Sequence, residues 1–353
     1  MRRLVPFIAL MTVLGVLPSG HATPATPTSD VVELGVSFSV RNTNTTRTAP
    51  ACKPDGKRYT VRGTLAGRQS ALADGPNDAV TLYLHGSGDG SSWNFTAVPG
   101  VDHIGEMAAL DHTSVFIHFL GYGTSDPVDG NALCYGSFAD VAHQVVQHLR
   151  HGTYVVDDAS PVAFERVALI GHSGGALAAE LYSVSYNDID AVGIAGWADL
   201  AITFPPFFTK AAGFAVACGQ GGRAKQPGGA KGWGRVFDRK ALRKLLYNMD
   251  PQVFDAFAKR YEDDPCGILK DAGPLLASSI ALSPLVVKIP VLLIYGDHDP
   301  FSPGAFDIQR ARYISSPDVS LAVLPNAGHN AMHGRTADAY RSVMSSWLKA
   351  RGF

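Results

Sequence analysis

The chain has 353 residues, 46% of them apolar and 17% charged, which suits one large domain, or a core with an insertion, around a sizeable buried interior. Thirty Lys and Arg against thirty-one Asp and Glu leave a formal net charge of −1. That balance excludes the electrostatic footprint of a nucleic-acid binder or of a protein drawn to an anionic membrane.

In chain order, Arg2-Arg3, the apolar stretch Leu4–Leu17 and the small-x-small ending Gly20-His21-Ala22 read as a signal peptide over residues 1–22. The apolar run is short for a membrane span, so no stable membrane insertion is expected once it is removed. The Thr- and Pro-rich residues 23–30 read as a disordered leader, and the mature protein is expected to be secreted. Four cysteines follow, Cys52, Cys134, Cys218 and Cys266, with no Cys-x-x-Cys spacing. In an oxidising compartment an even count favours two disulfides. Three connectivities exist, and Cys52–Cys134 with Cys218–Cys266 is favoured because the second pair falls within one candidate insertion.

Val31–Val40 and Arg58–Leu65 alternate apolar with polar residues and predict an antiparallel edge meander. From residue 78 onward apolar runs alternate with amphipathic stretches, which predicts a mostly parallel sheet covered by helices. The runs are Ala79–His85, Ser114–Phe119, Arg166–Ile170, Ala191–Ala195, Val291–Tyr295 and Val319–Leu324. Helical stripes carry Phe138, Val141, Val145, Val146 and Leu149, and then Ala337, Tyr340, Val343, Met344, Trp347 and Leu348. The long gap between the runs near Gly196 and Val291 predicts an inserted cap over 201–286, flanked by core segments 31–200 and 287–353. Within it, Gly219–Gly234 holds seven glycines and reads as mobile. One helix carries Leu242, Leu245 and Leu246, and another opens with Asp250 as N-cap and Pro251 in its first turn. Arg239, Lys240, Arg243 and Lys244 read as a solvated helix face. Trp233, Phe254 and Phe257 are expected to pack the cap rather than line an entrance.

Chemistry concentrates at Gly171-His172-Ser173-Gly174-Gly175, which follows the run Arg166–Ile170 and precedes the helix-like stretch Ala176–Tyr182. A tight strand-to-helix turn needs small flanking residues and exposes its serine, so Ser173 is the candidate nucleophile. A serine hydroxyl needs a base, and the base needs an acid to hold its tautomer. The acidic turn Gly296-Asp297-His298-Asp299 closes one later run, and Leu324-Pro325-Asn326-Ala327-Gly328-His329 closes the next. Serine, acid and histidine in that order, each just after a strand, fall at one sheet edge. The spacing favours His329 over His172, His298 and His333. For an oxyanion hole, Gly174 at a helix start offers one N–H and Ser87, after His85-Gly86, the second, with Gly88 as alternative.

These pieces, with Leu84–Gly90 and Gly121–Asp126, resemble the α/β-hydrolase fold superfamily over about residues 78–200 and 287–353. The Gly121-Tyr122-Gly123-Thr124-Ser125-Asp126 piece is similar to the epoxide hydrolase and haloalkane dehalogenase branch, whose nucleophile is an aspartate. Ser173 stands at that position here and argues against both activities. The resemblance implies Asp299 as the acid, ahead of Asp297 and of Asp199, where some members carry it. The reading is a secreted serine hydrolase acting on a small-molecule carboxylic ester through an acyl-enzyme, with no cofactor and no metal. The alternatives are an amide or peptide hydrolase or a cofactor-free acyltransferase on the same triad and, from another class, a catalytically silent binding module.

Overall fold

The computed structural model describes residues 30–47, 52–72, 77–90, 92–199, 205–269, 282, 285–302, 304 and 306–353. The predicted signal peptide, nearly all of the predicted leader and residues 201–204, 270–281 and 283–284 of the predicted cap lie outside the described residues. Among the described residues, no helix is long and apolar enough to cross a membrane.

The strands are β1 (Val31–Arg41), β2 (Arg58–Arg68), β3 (Asn77–Leu84), β4 (Ser114–Ile117), β5 (Val155–Val156), β6 (Phe164–His172), β7 (Ala191–Ala195), β8 (Trp233–Gly234), β9 (Asp264–Pro265), β10 (Val291–Gly296) and β11 (Val319–Leu324). The helices are α1 (Gln69–Leu72), α2 (His103–Ala109), α3 (Tyr135–His151), α4 (Gly174–Ser185), α5 (Pro205–Gly219), α6 (Arg239–Leu245), α7 (Pro251–Arg260), α8 (Phe306–Arg312) and α9 (Ala337–Lys349). Nine strands form one sheet in the order β11-β10-β7-β6-β3-β4-β2-β1-β5, and β8 pairs with β9 in a separate ribbon. The strands from β11 to β4 run parallel, whereas β2, β1 and β5 add antiparallel at the far edge. The two alternating runs predicted as an edge meander are β1 and β2.

The period-two geometry of a strand sorts side chains between two apolar layers. Val167 and Leu169 of β6 point into the layer beneath α3 and α4, while Ala168 and Ile170 point into the layer beneath α2 and α9. In β10, Val291, Leu293 and Tyr295 take the first side and Leu292 and Ile294 the second. Strands covered on both faces read as unbroken apolar runs, which is why the sequence marks them.

The connection between β7 and β10 is held differently. Cys218, near the end of α5, is joined to Cys266, just after β9, with Cα atoms 5.3 Å apart. The second disulfide ties Cys52 to Cys134, the residue preceding α3. Inside the connection the buried Asp263 accepts from Arg223 at 2.5 and 2.7 Å and from Arg235 at 2.9 Å. Lys225 donates to Glu262 and to the carbonyl of Gly121, and its ammonium lies 4.0 Å from the ring centres of both Tyr122 and Trp233. Gly219–Gly234, expected to be mobile, is a pinned loop. Arg223 and Trp233 exchange both backbone hydrogen bonds, and the carbonyls of Lys231 and Gly232 accept from Gly130 and Cys266. Helix α5 was not anticipated. Its first turn opens with Pro205-Pro206, where the missing N–H groups leave no helix bond unmade.

Candidate active site

Because the central strands are parallel, β3, β6, β10 and β11 all end at one sheet edge. At the end of β6 the chain turns into α4 through Ser173, whose φ of 54° and ψ of −119° place a non-glycine residue at strained positive φ. The turn is tied down by the Ser173 N–H, which donates to the carbonyl of Ala195 in β7 at 2.8 Å. A Cβ on Gly171 would meet the backbone of Gly175, and one on Gly175 would lie 2.5 Å from the carbonyl oxygens of Leu84 and His85. Only glycine tolerates that approach, so Ser173 is lifted, half-buried, above the sheet edge at the start of α4.

His329 follows β11. Its Nδ1 lies 2.9 and 3.0 Å from the two carboxylate oxygens of Asp299, three residues beyond β10. Both side chains are buried, and the Phe301 N–H donates to Asp299 Oδ1 at 2.9 Å, fixing the carboxylate in turn. With Nδ1 donating to Asp299, His329 keeps Nε2 as its basic nitrogen. Ser173 and His329 line one small cavity.

The other candidates are placed elsewhere. Asp297 accepts from the His298 ring at 2.6 Å and the Ala327 N–H at 3.1 Å, holding the turn. Asp199 is buried against Arg312, Gln309 and the indole N–H of Trp197. His298 stacks on Tyr247 with ring centres 4.2 Å apart, and His333 meets the carbonyl of Ser92. His172 donates through Nε2 to the backbone carbonyl of His329 at 3.0 Å, and burial holds its pKa well below the usual imidazole value. A neutral imidazole thus braces the His329 turn.

At the start of α4 the Gly174 N–H has no intrahelical acceptor. The N–H of Gly88 is already engaged, donating to Asp264 at 2.8 Å. That of Ser87 has no acceptor among the described residues, and the Ser87 hydroxyl and Gly174 face each other closely enough that a Cβ on Gly174 would sit 3.1 Å from Ser87 Oγ.

The sequence predicts that the 201–286 insertion passes over Ser173, but it leaves two sets of lining residues unassigned to the cavity. Its roof is apolar and comes from the connection: Phe237, Leu242, Leu245 and Leu246 from α6 and its flanks, with Phe257 and Tyr261 from α7 and its end. Phe257, expected only to pack, lines the cavity, whereas Trp233 and Phe254 are buried away from it as expected. The Leu245 carbonyl also accepts from the His329 N–H at 3.3 Å, joining roof to base. The second is Asp89, whose carboxylate accepts from the Asn330 amide at 3.0 Å and whose burial pushes its pKa well above the usual carboxylate value. Its glycine-rich surroundings in sequence read as loop, and no local spacing relates residue 89 to residue 330. Among the described residues no group of three or more His, Cys, Asp or Glu is placed to hold a metal ion.

A family model described as the Alpha/beta hydrolase family matches residues 82–343. No curated protein matches the sequence. Similar solved structures include a thermophilic esterase from Thermogutta terrifontis with malate bound, 17% identical, with a TM-score of 0.59 over 90% of this chain and 100% of that one. An enol-lactonase from Burkholderia xenovorans is 15% identical, with a TM-score of 0.58 over 82% of this chain and 97% of its own. A thermostable carboxyl esterase from Bacillus coagulans in complex with glycerol is 15% identical, with a TM-score of 0.56 over 92% and 99%.

Proposed function

The chain belongs to the alpha/beta hydrolase family, and we propose that within it this protein is a secreted serine hydrolase of small-molecule carboxylic esters. The observation that carries the reading is a half-buried serine on a strained turn sharing a cavity with a histidine whose far nitrogen is held by a buried carboxylate. In the proposed reaction His329 Nε2 takes the proton of Ser173 Oγ as the oxygen attacks the ester carbonyl. Asp299 stabilises the imidazolium through Nδ1, and the N–H groups of Gly174 and Ser87 receive the oxyanion. Collapse breaks the C–O bond, and His329 returns its proton to the leaving alkoxide. Water, deprotonated by the same nitrogen, then attacks the acyl-enzyme and releases the acid and free Ser173.

The leader sequence and the two disulfides support secretion, and the apolar roof supports an ester with a hydrophobic acyl or alcohol part. The connection is proposed to act as a cap over residues 201–286. Labelling with a fluorophosphonate, followed by peptide mapping, tests the nucleophile: modification at Ser173 is expected, and an unmodified Ser173 overturns the mechanism. A panel of p-nitrophenyl esters beside aminoacyl-anilides tests the bond. Turnover of the anilides alone would make the protein an amidase, and transfer to an added alcohol in place of hydrolysis would make it an acyltransferase.

A further inference from the structure

The loop after β3 that carries Ser87 is gripped by a stretch of chain far away in sequence. The Gly88 N–H donates to Asp264 Oδ1 at 2.8 Å, and the Gly88 carbonyl accepts from the Glu262 N–H at 2.8 Å. Gly88 has a φ of +63°, and a Cβ there would strike the ring of Tyr261. The same Asp264 oxygen accepts from the Tyr122 hydroxyl at 2.8 Å, which aims the carboxylate from the sheet side. Asp264 is fully buried in β9, and its Oδ2 has no partner among the described residues. A buried carboxylate with one oxygen unsatisfied is costly, and the bonds of its other oxygen go to Gly88 and Tyr122.

We infer that Asp264 is a positioning residue for the oxyanion hole: by taking the Gly88 N–H it turns the loop so that the neighbouring Ser87 N–H is the one left to receive the oxyanion. This rests on the reading of Ser87 and Gly174 as oxyanion donors. Tyr261, Glu262 and Asp264 thereby make the seating of the connection over the site a condition for a complete oxyanion hole. A connection displaced from the core releases Gly88 at both its N–H and its carbonyl.

The test uses the full-length protein with Asp264→Ala, Asp264→Glu, Asp264→Asn and Asp263→Asn. Misplacing one oxyanion donor is expected to lower kcat by about 10- to 100-fold. In Asp264→Ala, kcat on a p-nitrophenyl ester and the rate of fluorophosphonate labelling at Ser173 should fall together by that factor, with KM within about threefold. Asp264→Glu, which keeps a carboxyl group and displaces the acceptor, should do the same and serves if the alanine variant does not fold. Asp264→Asn keeps Oδ1 for both donors and places its amide where Oδ2 has no partner, so it should recover most of the rate. Asp263→Asn weakens bonds within the connection, to Arg223 and Arg235, while leaving the bonds to Gly88 in place, and should lower Tm without the loss of kcat. The inference is overturned if Asp264→Ala and Asp264→Glu keep kcat within threefold, if asparagine fails to rescue, or if Asp263→Asn loses as much kcat. Wild-type protein that is not labelled at Ser173 would instead overturn the reading of the nucleophile.

Discussion

The sheet edge and the chain that roofs it are built by different forces. At the edge, Ser173 and Asp299 follow β6 and β10, whose positions are set by apolar burial on both faces, each fully buried Val, Leu or Phe contributing about 1.5–3 kcal/mol, and His329 follows the half-buried edge strand β11. The roof, Phe237 to Tyr261, hangs on a disulfide, the Arg223–Asp263–Arg235 cluster, Lys225 between two rings, and the bond from Gly88 to Asp264. The first arrangement tolerates little change of the groups that react. The second leaves a surface whose shape is replaceable, provided its polar attachments survive. On the proposed function, chemistry and substrate choice are expected to be separable by mutation.

The largest effect expected from breaking the edge is Ser173→Ala, which should lower turnover by about 10⁶-fold, as for loss of a triad serine, while Tm stays within a few degrees. Residual activity of a few per cent would move the nucleophile elsewhere. Next, Asp299→Asn should cost about 10⁴-fold in kcat, since it disturbs the tautomer of His329. Asp297→Asn should cost less than about fivefold, and Asp199→Asn should show in the thermal melt rather than in the rate; steady-state kinetics on the three variants decides between them. On the roof, Phe257→Ala should shift the ratio of rates on long and short acyl esters by about tenfold with little change in phosphonate labelling. An unchanged ratio would make Phe257 structural cover only.

Smaller effects concern stability. Replacing Cys218 and Cys266 by serine opens a loop with a sequence separation of 48, which the chain-entropy model values at roughly 4 kcal/mol; denaturant melts should show the loss while kcat of the folded fraction is retained. Burial holds His333 at a pKa of about 4 and His85 at about 3. Between roughly pH 6.5 and 4 the unfolded histidines bind protons that the folded ones refuse, so stability is lost as pH falls through that window. Asp264, raised by burial to about 7, works in the opposite sense. Melts of His333→Gln at pH 7 and pH 5 should show a smaller drop than wild type.

The sheet and the three side chains at its edge were open to sequence reading because their signals are local. A strand buried on both faces is a contiguous apolar run, and a tight turn demands glycines beside its serine at fixed spacing. The roof follows no such rule. Asp264 meets Gly88 across 176 residues and Asp89 meets Asn330 across 241, and nothing in either neighbourhood names its partner. Phe257 was indistinguishable from packing because an apolar face looks the same against a core and against a cavity. Gly219–Gly234 misled in the other direction, since glycines that allow a pinned, closely packed loop have the composition of a flexible one.

The position of β11 has a consequence for how the protein comes into being. It is the outermost strand of the parallel end of the sheet and follows the sheet's other described strands in chain order, and it carries the chain straight to His329. Ser173 can be in its turn long before then, since β3, β6 and β7 are complete by Ala195. The growing polypeptide thus displays a serine without this imidazole until β11 has emerged and the non-local pairing of β10 with β11 has formed, a slow class of contact. On the proposed roles of Ser173 and His329, copies lacking β11 and the turn after it are expected to show no hydrolysis.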